Sequence, residues 1–125
     1  MKLQSCVLSF VLVCASLAAP AGWAQTDATR TIATILYNLN HFPSESEKAS
    51  LEVITADAAS SEAEKTVARA LMNMQHKVGE EDAAALEKVL ADESASPETR
   101  ELARILLSVM HKPAEADREK LETMM

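Results

Sequence analysis

Apolar residues recur along most of this chain with the spacing of a buried helical face, and the same stripe appears three times. In each stripe they occupy positions i, i+3, i+4 and i+7, which is typical of one face of an α-helix. The three stripes begin at Ile32, Val67 and Leu102. A shorter and more charged helical pattern follows each stripe, with its leading leucine at Leu51, Leu86 or Leu121. The pattern predicts three helical hairpins, each made of an inner and an outer helix.

Three histidines indicate that the hairpins are copies of one repeat. His41, His76 and His111 lie 35 residues apart, and the residues around them align without gaps. A second set at the same spacing is Leu36, Leu71 and Leu106. Periodicity of this length is typical of helical-repeat proteins, in which each unit buries its apolar face against its neighbours. We therefore expect residues 35 positions apart to occupy like environments.

Helix-start signals divide the repeats into six predicted helices. Ser44 with Glu47 forms a capping box, and Ser61 with Glu64 forms another. Ser96 precedes a proline at a first helical position. The predicted helices span 27–40, 44–57, 61–75, 79–92, 97–110 and 114–124. The predicted fold is all-α, a short right-handed α-solenoid of ~35-residue helical hairpins with about six helices.

One stretch resembles a known repeat family. Residues 86–92 (LEKVLAD) form a leucine-rich helix ending at an aspartate, and residues 97–106 (PETRELARIL) form a second helix with an arginine near its start. This combination resembles a HEAT-like repeat, and the resemblance covers most of 44–110. It implies an α-solenoid with a binding surface, and it implies no catalytic chemistry.

The first two dozen residues differ from the rest and are predicted to be a cleaved signal peptide, residues 1–24. Lys2 supplies a basic start, an apolar core runs over 7–19, and small residues precede the expected cleavage point. The alternatives are an uncleaved anchor, for which the apolar core is short, and a lipoprotein modified at Cys14. We expect residues 25–125 to form a single helical-repeat domain that is periplasmic or secreted.

Loss of the leader changes the composition of the chain. Both cysteines leave with it, and 11 basic residues remain against 19 acidic ones, a net charge of −8. Without thiols, the domain has no disulfide and no cysteine-based metal site. The negative charge argues against nucleic acid and anionic membranes as partners, and it is compatible with a basic protein or peptide.

The three histidines are the most conspicuous polar feature, and three interpretations apply to them. They are C-terminal capping residues of the inner helices, or imidazolium groups that sense pH there, or metal ligands. Two histidine nitrogens on one zinc ion lie within about 4 Å of each other. Equivalent positions in stacked helices are separated by about 8–10 Å. We therefore expect the histidines not to share an ion, and we predict no metal site and no cofactor.

The methionines near His76 do not change this expectation. Met72 and Met74 suggest a soft-metal site at first, but residues two apart on a helix point to nearly opposite sides. Their counterparts one repeat later are Leu107 and Val109, which marks the methionines as core residues. The chain also lacks a Gly-rich phosphate loop and a thiol nucleophile after residue 24, so we do not expect an enzyme.

The composition and the repeats favour a protein-binding adaptor, inhibitor or chaperone-like accessory of the periplasm or cell envelope. The expected contact surfaces are the outer helices and the C-terminal end, specifically Glu45, Lys48, Glu52, Glu80, Lys88, Leu121, Met124 and Met125. The alternative is a metal or stress-ligand binding protein that uses His76, Met72 and acidic turns. Self-association through the ends of the stack is a third hypothesis.

Overall fold

The computed structural model describes residues 25–125, and the predicted signal peptide at 1–24 lies outside the described residues. The six helices are α1 (Asp27–Asn38), α2 (Glu45–Ala56), α3 (Glu62–Asn73), α4 (Glu80–Ala91), α5 (Pro97–Ser108) and α6 (Glu115–Glu122). Their ends agree with the predicted ranges to within two residues. In this part of the chain no helix is long and apolar enough to cross a membrane. The predicted all-α repeat fold is confirmed.

Side-chain caps mark the start of α1, α2, α3 and α5. The backbone N–H of Glu47 donates to Ser44, and the Glu47 carboxylate accepts the Ser44 N–H at 2.7 Å. The same reciprocal pair joins Ser61 and Glu64, so both predicted capping boxes form. Each such pair satisfies two backbone donors that the first helical turn cannot use. The short loops between helices therefore have defined ends.

The three inner helices, α1, α3 and α5, pack against one another in every pairing. Their contact is built from residues at equivalent positions of the three repeats, each with 0 % exposure: Ile32, Val67 and Leu102; Ala33, Ala68 and Ala103; Leu36, Leu71 and Leu106. The small alanines let the helices approach closely, and the larger side chains fill the centre. Residues 35 apart thus occupy like environments, as the repeat predicts.

The three repeats close into a ring, whereas a linear stack of hairpins would stay open at both ends. Helix α2 packs on α3 and α4 packs on α5, so each of these outer helices covers the inner helix that follows it. Helix α6 has no following inner helix and packs on α1 instead. Tyr37 of α1 donates a hydrogen bond to Glu122 at 2.9 Å, and the Arg118 guanidinium lies 4.5 Å from the centre of the Tyr37 ring. The closure leaves neither terminal hairpin with an uncovered inner helix.

A buried carboxylate lies where the inner helices begin. Glu64 at the start of α3 has 4 % exposure, and its equivalents in the other repeats are the buried Thr29 and Thr99. Its carboxylate accepts hydrogen bonds from the hydroxyls of Thr26 and Thr29 and from the Ser61 N–H. The positive end of the α3 dipole also stabilises its negative charge. Glu64 therefore links the N-terminal ends of α1 and α3.

We predict that Glu64→Ala lowers the free energy of unfolding by about 2 kcal/mol, because it leaves buried hydroxyl and N–H groups without partners. Chemical denaturation of the purified protein measures the change. The matched control is Glu62→Ala on the same helix, where the side chain is 83 % exposed and a change below about 0.5 kcal/mol is expected. Equal losses in the two variants would contradict the role of Glu64.

Charged side chains join the last two helices. The Arg104 guanidinium bonds Glu101 on its own helix at 2.8 Å and Asp117 of α6 at 2.6 Å, while Lys120 bonds Glu101 at 2.9 Å. The hydrogen bond from Arg104 lowers the pKa of Glu101 from 4.5 to about 2, and the Lys120 ammonium acts in the same direction. This network holds α6 against α5 in addition to its packing on α1.

The stability that Glu101 contributes depends on pH in a defined window. Because its folded-state pKa is depressed, its contribution is fully present above pH 4.5 and is lost as the pH falls towards about 2. Glu101→Gln is expected to cost roughly 1 kcal/mol at pH 7, allowing for solvent screening of this partly exposed group. Thermal and urea melts from pH 7 to pH 2 should show the stabilities of the wild type and of Glu101→Gln becoming equal as the pH falls. Glu119→Gln, an exposed α6 residue outside the network, is the control; a constant difference at all pH values would contradict the assignment.

Candidate metal centre

The loops that follow the inner helices meet at one pole of the ring. The residues that cap the three inner helices at their C-terminal ends, Leu39, Met74 and Val109, are all buried. Each cap residue anchors the start of its loop in the core, and the histidine follows two positions later. Because the inner helices pack side by side in the same direction, the three loops emerge next to one another.

His41, His76 and His111 form a compact exposed cluster at this pole. The ring centres are 5.5 Å apart for His41 and His76, 5.0 Å for His41 and His111, and 5.1 Å for His76 and His111. One nitrogen from each ring lies within 4.8 Å of the others. In the part of the chain that the structure describes, no other group of three His, Asp or Glu side chains is close enough to hold a metal ion.

Backbone hydrogen bonds hold the loops together. The His41 N–H donates to the His111 carbonyl at 2.6 Å, and the His111 N–H donates to the His76 carbonyl at 2.8 Å. His41 and His111 adopt left-handed conformations, with φ of 73° and 71°. Such angles are uncommon for residues other than glycine and cluster at functional sites, where the surrounding structure maintains them. Direct backbone contact between loops thus fixes the separation of the histidines.

The expectation that the histidines lie about a helix diameter apart is therefore wrong. That separation applies to neighbours in a linear stack, whereas the repeats here close into a ring and bring equivalent positions toward one centre. The histidines are also not caps of their helices. Each lies three residues beyond the last helical residue, Asn38, Asn73 or Ser108, and buried apolar residues occupy the cap positions.

The cluster has several properties of a metal site. Nitrogens on a tetrahedral zinc ion are about 3.4 Å apart, given bonds near 2.1 Å, so modest rotations of the exposed rings bring them to a shared ion. His41 Nδ1 lies 2.8 Å from Asn40 Oδ1. In the tautomer in which Nδ1–H donates to that oxygen, the Nε2 lone pair is left for a metal. The negative ends of three helix dipoles also face this pole and favour a cation.

Side chains around the histidines are mixed in character. Phe42 and Met110 are 57 % and 69 % exposed, and Lys77 and Lys112 follow the other two histidines in sequence. A cavity of about 270 Å³ lies beside His76, lined by Phe42, Lys48, Met74, Gln75 and His76. Two larger grooves of about 490 Å³ each lie near Glu64, whose carboxylate is already engaged by Thr26, Thr29 and Ser61.

The structure separates the residues that the sequence suggested as a partner-binding surface. Those on the outer helices α2 and α4 are exposed, except for the half-buried Lys48: Glu45, Lys48, Glu52, Glu80 and Lys88. Leu121 and Met124 are buried in the core, so they are not available to a partner, and Met125 is 43 % exposed. Helix α6 packs on α1, so the expectation that the C-terminal end offers Leu121 and Met124 to a partner was wrong. Met74 is buried as predicted, and Met72 packs against the core.

The convergence of the histidines is what the sequence interpretation missed. Part of the signal was present in the equal spacing itself, since equivalent residues near the axis of the ring meet when three repeats close. To predict that the histidines meet, the sequence interpretation also needed the closure of the ring by α6 packing on α1. Comparisons with known protein families, with curated proteins and with solved structures find no match to this chain.

Proposed function

We propose that this protein is an exported metal-binding protein that takes up one first-row divalent transition ion, such as Zn²⁺ or Cu²⁺, through His41, His76 and His111. The single observation behind the proposal is the convergence of three imidazole nitrogens within 4.8 Å. The function is one of binding rather than catalysis.

The donor set argues for this class of metal. Neutral imidazoles suit zinc, copper, nickel and cobalt, whereas calcium and magnesium prefer several oxygen ligands. Thioethers would be expected for copper(I), but Met74 is buried in the core and Met72 packs against it. Exposure of all three histidines gives an ion direct access from solvent.

Export by the leader at 1–24 agrees with a histidine-only site. Oxidising compartments convert thiols to disulfides, whereas imidazole ligands do not take part in that exchange. The chain after residue 24 has no cysteine, and its net charge of −8 attracts cations over distance. We propose that the predicted leader directs the protein to the periplasm or out of the cell.

We predict that the purified protein binds one Zn²⁺ or Cu²⁺ per chain, measured by calorimetric titration. His76→Gln removes a direct metal ligand and should weaken binding by more than about 100-fold. Loss of an outer-shell partner alone weakens binding by up to about 100-fold. Asn40→Ala should weaken it by about 10–100-fold, because it releases the ring orientation of His41. Metal at 100 times its dissociation constant should also stabilise the fold by about 2.7 kcal/mol.

The controls are Lys88→Gln, an exposed change on α4, and Ca²⁺ or Mg²⁺ in place of the transition metal. Lys88→Gln should bind the transition metal like the wild type. Ca²⁺ and Mg²⁺ should not bind to the wild-type protein at this site. Equal uptake by the wild-type protein and a triple His→Gln variant would refute the site, as would no saturable uptake by the wild type.

A protein-binding adaptor, inhibitor or chaperone-like accessory is the second candidate function. It is supported by two large exposed apolar side chains on adjoining histidine loops, Phe42 at 57 % and Met110 at 69 % exposure, since such groups are common at contact surfaces when they cluster. The resemblance of the hairpins to HEAT-like repeats also supports this candidate function, because members of that family bind other proteins. In-cell crosslinking should capture one recurrent partner whose yield falls in Met110→Ser; a yield independent of Met110 would exclude this surface.

A further inference from the structure

The cavity beside His76 adjoins the histidine cluster directly, because His76 belongs to both. Its volume of about 270 Å³ is enough for a molecule the size of a short carboxylic acid. Phe42 and Met74 give it apolar walls, and Lys48 and Gln75 add polar groups. The cavity is an open cleft that places the Phe42 ring near the Lys48 ammonium and the His76 imidazole.

Lys48 is placed to receive a negative charge. Its ammonium pairs with Glu45 at 3.4 Å, and the Glu45 side chain is 94 % exposed. An ion pair so open to water contributes little to stability. Replacing the Glu45 carboxylate at Lys48 by the carboxylate of a ligand therefore costs little free energy. The Lys48 side chain itself is 34 % exposed, and its stem is held against the protein. A ligand in the cavity would therefore meet a positioned cation.

A metal on the three histidines would keep a coordination position for such a ligand. Zinc and its neighbours take four or more ligands, and a site with three protein ligands completes its shell with water or a bound molecule. Among residues 25–125 no fourth His, Asp or Glu side chain joins the cluster. The cluster is exposed, so the remaining position is accessible from solvent, and the cavity shares His76 with the cluster.

We propose that the metal-loaded protein binds a small carboxylate ligand beside His76, with its carboxylate shared between the metal and Lys48 and its apolar part on Phe42 and Met74. This inference rests on the proposed metal-binding function. It predicts that the protein holds a metal together with a small organic acid, rather than the bare ion.

The test uses Co²⁺ as the probe metal, because its visible absorption bands report each change in its ligands. The purified protein is loaded with Co²⁺ and titrated with acetate and with butyrate. Both should shift the bands saturably, and butyrate should bind about threefold more tightly, because its two further methylenes are partly buried against Phe42. Lys48→Gln should weaken butyrate binding by roughly tenfold, and Phe42→Ser should reduce the preference for butyrate over acetate.

Arg69→Gln, which removes an exposed positive charge on α3, is the matched control for charge and should bind butyrate like the wild type. Failure of Co²⁺ to develop bands with the wild-type protein would overturn both the metal function and this inference. Bands that form but do not respond to butyrate would overturn the inference alone. Equal binding of acetate and butyrate, or unchanged binding in Lys48→Gln, would also overturn it, since the cavity would then play no part.

Discussion

The mutual packing of three inner helices, closed by α6 on α1, is the constraint on which the rest of this structure depends. Three short hairpins cannot each bury an apolar face alone, and a linear array would leave the two end units half-covered. Closing the ring gives each inner helix two inner neighbours and an outer helix across its back. Leu36, Leu71 and Leu106 are all fully buried as a result.

The same closure places the buried carboxylate and the histidines at opposite poles of the ring. Inner helices that run in one direction bring their N-terminal ends to one pole and their C-terminal ends to the other. The buried carboxylate of Glu64 lies at the N-terminal pole, where partial positive charge and three hydrogen-bond donors stabilise it. The histidines lie at the C-terminal pole, where the helix ends favour a cation. Lys77 and Lys112, which follow two of the histidines in sequence, are exposed and add positive charge to those loops.

The histidine cluster illustrates how repetition creates a site that no single hairpin contains. Each repeat contributes one exposed imidazole on a short loop, and one imidazole alone is a weak metal ligand. Backbone hydrogen bonds between the loops of His41, His76 and His111 then hold the three together. The left-handed backbone at His41 and His111 is the local conformational cost of this arrangement. Preorganisation of this kind reduces the ordering that a metal ion must impose when it binds.

The sequence by itself determined the helices, their caps and the equivalence of positions 35 apart, because these follow from local spacing and from side chains within a few residues of one another. Ser44 and Ser61 cap their helices as predicted, and the predicted core residues are buried. Only the tertiary structure decided that the repeats close and that His41, His76 and His111 meet. It also decided that Leu121 and Met124 are buried against the rest of the chain. Closure depends on the rotation between successive hairpins, which packing across the whole core sets, and no single stretch of sequence contains it.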